Sequence, residues 1–216
     1  MHEETSVRQF VVGDLQTNCY ALISEGACLV VDPGAAGARI AQQIKDVRVV
    51  GIVATHGHHD HVCGVAALKR ATDAPFLIGW ADAQRAQRAI DLSSHVFDVS
   101  ELGLEDAPMP DRELHEGDEI CVGNETLRVI ETPGHTEGGI VLLGDGVAFV
   151  GDTLFAGSCG RTDLVGGDPE EMMRTLRRLK RAIPPATVLL CGHGPDTTME
   201  HEIATNPWLQ AADSWR

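Results

Sequence analysis

Between Thr55 and His61 the chain reads T-H-G-H-H-D-H, which brings His56, His58, Asp60 and His61 within six residues. Neutral imidazoles and a carboxylate are borderline ligands suited to zinc and other first-row divalent cations. Four of them packed this closely need a loop, because neither a strand nor one face of a regular helix can aim them at one point. A lone histidine is more often a satisfied core or surface group; a cluster of this density reads as a metal site. Three further polar residues stand beside glycine at the ends of apolar segments: His135 in T-P-G-H-T, Asp152 in V-G-D-T-L-F and His193 in C-G-H-G-P. Together the seven supply five histidines and two aspartates, enough for two cations with three protein ligands each, one carboxylate shared and a position left for water. Catalytic sites keep such an open position, whereas structural zinc is closed, usually by thiolates. The six cysteines (Cys19, Cys28, Cys63, Cys121, Cys159, Cys191) contain no C-x-x-C pair, so a structural zinc site is the weaker reading and reduced thiols are expected. His59 lies in the motif but out of register with the ligands and is not assigned; His2, His95, His115 and His201 read as solvated.

The elements that must position these groups are short β-rich runs, each ending in Gly, Asp or Pro, alternating with helical patterns. Strands are expected over 7–12, 18–23, 28–31, 49–54 and 76–79, then over 119–122, 126–131, 139–143, 147–150 and 187–191. Asp32-Pro33-Gly34 is a turn, and Gly144-Asp145-Gly146 closes a hairpin. Helices are expected over 38–46, 62–71, 82–90 and 198–205. The clearest runs from Pro169 to Ile183: Asp168 caps it, Pro169 takes the first helical position, Glu170 and Glu171 favour the positive end of the dipole, and Met172, Leu176, Leu179 and Ile183 form its apolar stripe. Residues 91–117 make a long acidic connection, expected to be a flap or to carry short structure of its own. Two successive β-then-α halves suggest a two-sheet sandwich with helices outside.

With 17 Lys and Arg against 32 Asp and Glu, the formal charge is −15, and no basic run offers a footprint for nucleic acid or an anionic membrane. No window approaches the apolar length of a spanning helix, and acids stand at the N-terminus where a secretory segment would carry positive charge, so a cytoplasmic location is expected. At 43% hydrophobic and 23% charged, 216 residues make one domain's worth of ordinary globular protein.

T-H-G-H-H-D-H, T-P-G-H-T, G-D-T-L-F and G-H-G-P, in that order, resemble the ligand motifs of the metallo-β-lactamase-fold hydrolases. Within them, G-D-T-L-F-A-G-S-C-G-R-T-D-L, C-G-H-G-P and N-P-W-L resemble the short glyoxalase II-like group, the relatives of hydroxyacylglutathione hydrolase. The resemblance implies a four-layer αββα sandwich formed by residues 1–216 as a single domain, with no separate C-terminal helical substrate domain. It implies a first metal on His56, His58 and His135, a second on Asp60, His61 and His193, and Asp152 bridging. The cations are expected to be zinc, with iron or manganese as alternatives, and to activate water and polarise a thioester carbonyl. Asp60 and Asp152 are the catalytic carboxylates, Asp60 as a ligand that can also orient the attacking water. Arg161, in C-G-R, matches a basic position that holds the thiol carrier in longer relatives. Asp32, Thr55 and Thr136 are candidates to support the ligands, Asp32 equally a turn residue. The expected partner is a small thioester or related acyl substrate, with neither nucleic acid nor membrane involved. Persulfide dioxygenases share the fold and a similar C-G-R-T-D segment, so a single iron on His56, His135 and Asp152 is the alternative; a non-catalytic metal binder is a third. A β-lactamase is opposed by the missing export signal and an RNA-processing nuclease by the acidic charge.

Overall fold

Continuous apolar runs in the first half become strands covered on both faces. The computed structural model describes residues 5–100 and 102–215; His2 lies outside them. Strands β1 (Ser6–Val12), β2 (Thr17–Ser24), β3 (Ala27–Val31), β4 (Arg48–Ala54), β5 (Phe76–Gly79) and β6 (Arg112–Leu114) form one sheet in chain order. The first three are antiparallel and the rest are added parallel. A second sheet contains β7 (Glu119–Val122), β8 (Glu125–Glu131), β9 (Ile140–Leu143) and β10 (Val147–Gly151). After a small hairpin of β11 (Leu154–Phe155) and β12 (Ser158–Cys159), the chain returns to it with β13 (Val188–Cys191) and β14 (Thr197–Thr198), giving the order β14-β13-β10-β9-β8-β7.

The period of two sorts side chains between layers. Along β2, Tyr20 and Leu22 point into the space between the sheets, where they meet Leu127, Val129, Leu142 and Phe149. Cys19, Ala21 and Ile23 point outward, under helices α1 (Gly37–Gln43) and α3 (Val65–Thr72). Ala148 and Val150 of β10 face outward onto α6 (Pro169–Ala182), α7 (Met199–Thr205) and α8 (Pro207–Ala212). The result is helix, sheet, sheet, helix, as the resemblance implied.

Helix α6 starts as its sequence directs: the Asp168 carboxylate accepts from Glu170 N and Glu171 N at 2.8 and 3.0 Å. Met172, Leu176 and Leu179 are buried against the second sheet, each large apolar side chain stabilising the layer by about 1.5–3 kcal/mol. Two expected helices are broken. The segment 62–71 divides into α2 (His59–Val62) and α3, because Gly64 N turns back to bond Pro33 O at 2.8 Å. The segment 82–90 divides into a 3₁₀ turn at Trp80–Asp82, α4 (Ala83–Ala86) and α5 (Ala89–Ser94). The 91–117 connection holds the end of α5 and all of β6, so it carries structure of its own. The β11–β12 hairpin and α8 are further elements that periodicity misses, being too short to show a period.

One contact sets the metal motif against the sheet. At Gly34 a Cβ would lie 1.4 Å from Asp60 O, so the Asp32-Pro33-Gly34 turn rests directly on the backbone of α2, where only glycine fits.

Candidate metal centre

The seven residues expected as ligands come from five places in the chain and meet at one edge of the sandwich. Their positions follow from strand ends. β4 delivers His56 and His58 in its exit loop, α2 presents Asp60 and His61, the loop after β8 carries His135, and Asp152 and His193 stand just beyond the ends of β10 and β13.

Two clusters result. In the first, His58 Nδ1 lies 3.1 Å from His56 Nε2 and 3.0 Å from His135 Nε2. In the second, His193 Nε2 lies 3.1 Å from Asp60 Oδ2 and 3.4 Å from His61 Nε2. Asp152 stands between them, Oδ1 at 3.4 Å from His61 Nε2 and Oδ2 at 3.5 Å from His135 Nε2. Gly192 makes room for it: a Cβ there would fall 2.1 Å from Asp152 Oδ1.

The outer nitrogens are already engaged. His135 Nδ1 faces Arg161 O at 2.7 Å and His193 Nδ1 faces Leu15 O at 3.1 Å; a carbonyl can only accept, so these nitrogens carry the protons and the Nε2 lone pairs turn inward. Thr55 donates its hydroxyl to Asp32 Oδ2 at 2.8 Å and so can accept from His56 Nδ1 at 3.2 Å. Asp32 Oδ2 also lies 3.1 Å from His61 Nδ1, a close ionic contact off the line of a hydrogen bond. Inward lone pairs on several rings repel unless a cation sits among them. Asp152 Oδ1, buried and without a hydrogen-bond donor among the described residues, is likewise left to a positive charge. The donor set therefore fits metal ions that His56, His58 and His135, and Asp60, His61 and His193, could hold, with Asp152 between the two groups.

Electrostatics divide the same way. Burial holds the His56 ring well below its ordinary range, reinforced by the rings of His61, His135 and His58. Burial and the neighbouring His135 push His58 down to about 3. For His61 and His193 burial also opposes protonation, but the facing carboxylates of Asp60 and Asp152 outweigh it and hold both above the usual imidazole value. Conversely, burial would raise Asp60 and Asp152, yet His61 and the rings around it keep both carboxyls below their usual range.

Asp32 serves as turn residue and support together. It occupies the left-handed region at φ 54, and its carboxylate accepts from Thr55 N at 2.6 Å as well as from the hydroxyl. Thr136 Oγ1 is buried and finds no hydrogen-bond partner among the described residues. Arg161 lines the cavity, but its guanidinium is held by Asp163 through paired bonds of 2.7 and 2.8 Å. His59 turns away from the cluster, its Nδ1 at 2.8 Å from Ser93 Oγ, and His95, His115 and His201 are exposed.

Two residues of this neighbourhood are invisible to sequence reasoning. Thr17 donates to Asp60 Oδ2 at 2.9 Å from the start of β2. Asp82, fully buried, accepts from Gly57 N at 2.7 Å and Gly138 N at 2.9 Å, tying the first metal loop to the loop that follows His135. Neither sits in a motif; a Thr opening a strand and an Asp before a helix carry no local sign of what they reach. A cavity of about 870 Å³ opens onto the cluster, lined by His58, Asp60, His135, Asp152 and His193 and by apolar Leu15, Leu92, Phe97, Phe155 and Val165.

Fold and ligand geometry coincide with a known family. The model of the metallo-beta-lactamase superfamily matches residues 12–193, and the chain belongs to that superfamily. A probable metallo-hydrolase of Bacillus subtilis, YqgX, is 34% identical over 207 residues, covering 94% of this chain and 96% of its own. The hydroxyacylglutathione hydrolase of Aeromonas salmonicida is 38% identical over 173 residues; the match takes in 78% of this chain but 58% of that enzyme. Among solved structures, TTHA1623 in a di-iron-bound form superposes with a TM-score of 0.82 at 32% identity, covering 93% of this chain and 99% of that one. No described helix is long and apolar enough to cross a membrane.

Proposed function

We propose that the protein is a binuclear metal-dependent thioester hydrolase acting on a small S-acyl thiol. The observation that carries this is Asp152, set between two ligand triads with Oδ1 toward His61, Oδ2 toward both His135 and His193, and Oδ1 without a hydrogen-bond donor among the described residues. Two bound cations, zinc in the first instance, would acidify water to a pKa near 7 and polarise the scissile carbonyl. The chain's own groups do the rest. His135 and His193 are locked by backbone carbonyls, so their inward nitrogens are presented without reorganisation. His58, pushed down to about 3, stays neutral and keeps its lone pair at every physiological pH. Asp60 is held ionised by His61 and the rings around it and is oriented by the Thr17 hydroxyl, placing an acceptor beside the cluster for the proton of an attacking water. The apolar cavity walls admit an acyl chain and exclude competing solvent.

Partial similarity to hydroxyacylglutathione hydrolases supports the thioester class, and the similarity to TTHA1623 supports a two-metal site. The test is hydrolysis of S-lactoylglutathione and simpler thioesters by zinc-loaded protein, before and after chelation. Turnover that disappears with the chelator and returns with metal is expected; turnover indifferent to the chelator rejects the mechanism.

A further inference from the structure

Three arginines line the cavity, Arg85, Arg88 and Arg161. Two are already occupied: Arg88 holds Asp91 at 2.7 Å and Arg161 holds Asp163 at 2.7 Å, and both are largely exposed. Arg85 differs. Its side chain is only 9% exposed, and its guanidinium donates no hydrogen bond to any described residue. The nearest carboxylate oxygen, Asp82 Oδ1, is 3.4 Å from Nε, and the two Asp82 oxygens already accept from Gly57 N and Gly138 N. The terminal N–H groups have no hydrogen-bond partner among the described residues.

The surroundings hold that guanidinium in place. The Arg85 stem lies over Gly57, the residue between His56 and His58, where a Cβ would come within 2.8 Å of Cγ. Its far end lies against Gly166, where a Cβ would meet Nη2 at 2.0 Å. A planar cation is thus fixed in the wall of the cavity, beside the first metal loop, with donors unspent. Asp82 supplies a charge at 3.4 Å but accepts no hydrogen bond from the guanidinium; burying N–H donors unspent is costly, and their paired geometry matches a second carboxylate.

We infer that Arg85 is a specificity-determining residue that binds a carboxylate carried by the substrate. This rests on the thioester-hydrolase proposal and adds to it the chemical class of the substrate: an acyl thiol with an anionic group on one half. Apolar Leu92 and Val165, which line the same cavity, leave the remainder of that substrate to be aliphatic.

The test compares three thioesters on metal-loaded wild type, Arg85→Gln and Arg85→Lys: S-succinyl-N-acetylcysteamine, with the anion on the acyl half; the S-butyryl ester of 3-mercaptopropionate, with the anion on the thiol half; and neutral S-butyryl-N-acetylcysteamine. The ratio of kcat/KM for an anionic over the neutral thioester is expected to fall at least about tenfold in Arg85→Gln, through KM, and to recover in part in Arg85→Lys. The arm that collapses identifies which half bears the carboxylate. Ratios unchanged in both arms overturn the assignment. Binding is read separately, by calorimetric titration of 5-(ethylthio)pentanoate, a thioether that cannot be hydrolysed, and of its methyl ester. Affinity for the acid, but not the ester, is expected to fall about tenfold in Arg85→Gln; equal losses or none overturn the carboxylate site. Should wild type turn over no thioester while the acid still discriminates between wild type and Arg85→Gln, the hydrolase proposal falls and the anion site stands.

Discussion

At the scale of single residues, the second ligand triad is the more electrostatically loaded. Asp152 faces both triads, so Asp152→Ala should lower bound metal and turnover together; elemental analysis of the variant showing two cations per chain would remove the bridge. Asp32 acts one layer out. Held in the left-handed region at φ 54, a conformation costing on the order of 1 kcal/mol for a residue other than glycine, it is retained by Thr55 and His61. Asp32→Asn keeps the size but withdraws the charge beside His61 Nδ1, and should weaken metal binding about 10–100-fold in a chelator competition. Protonation gives a third expectation. His61 and His193 are held above the usual imidazole value by Asp60 and Asp152, so in the metal-free protein they stay protonated to higher pH and a cation must displace those protons. His56 and His58 are shifted downward and offer no such competition. Lowering the pH should therefore strip the cation at Asp60, His61 and His193 before the one at His56, His58 and His135, a stepwise loss that titration with a metal indicator would resolve.

At the scale of elements, two carboxylates do unlike work. Asp168 caps α6 with an exposed side chain outside the cluster, and its link to the His135 loop is through the backbone, Asp168 N to Gly134 O at 2.8 Å; Asp168→Ala keeps that bond and should cost about 0.5–2 kcal/mol of stability while leaving the metal content unaltered, as thermal unfolding and elemental analysis would record. Asp82 joins the loop of His56 and His58 to the loop beyond His135 through Gly57 and Gly138 and stands beside Arg85. Its removal strands two backbone donors and a cation in the interior, so Asp82→Ala should cost about 3–5 kcal/mol in urea unfolding and reduce metal affinity as well. A loss no larger than that of Asp168→Ala would show that the two loops hold without it.

At the scale of the whole molecule, two six-stranded sheets pack face to face and deliver five chain segments to one rim, so metal stoichiometry reports on the fold's purpose. Two first-row cations per chain, with thioester turnover and no oxygen uptake, are expected; one iron with oxygen consumption would instead favour the dioxygenase chemistry seen elsewhere on this fold. Much of this was legible in the chain alone. Histidine density in T-H-G-H-H-D-H marked a candidate metal loop, glycine-flanked His135, Asp152 and His193 marked strand ends, and alternating apolar residues marked two-faced strands, because ligand chemistry and hydrophobic periodicity are local properties of the residues that bear them. Tertiary structure alone decided that Asp82 is a buried link between loops, that Thr17 orients Asp60, that Asp163 holds Arg161, and that Arg85 lies in the cavity wall with no hydrogen bond to a described residue. Each of those depends on which side chain arrives from another segment, a distance in space that no spacing along the chain encodes.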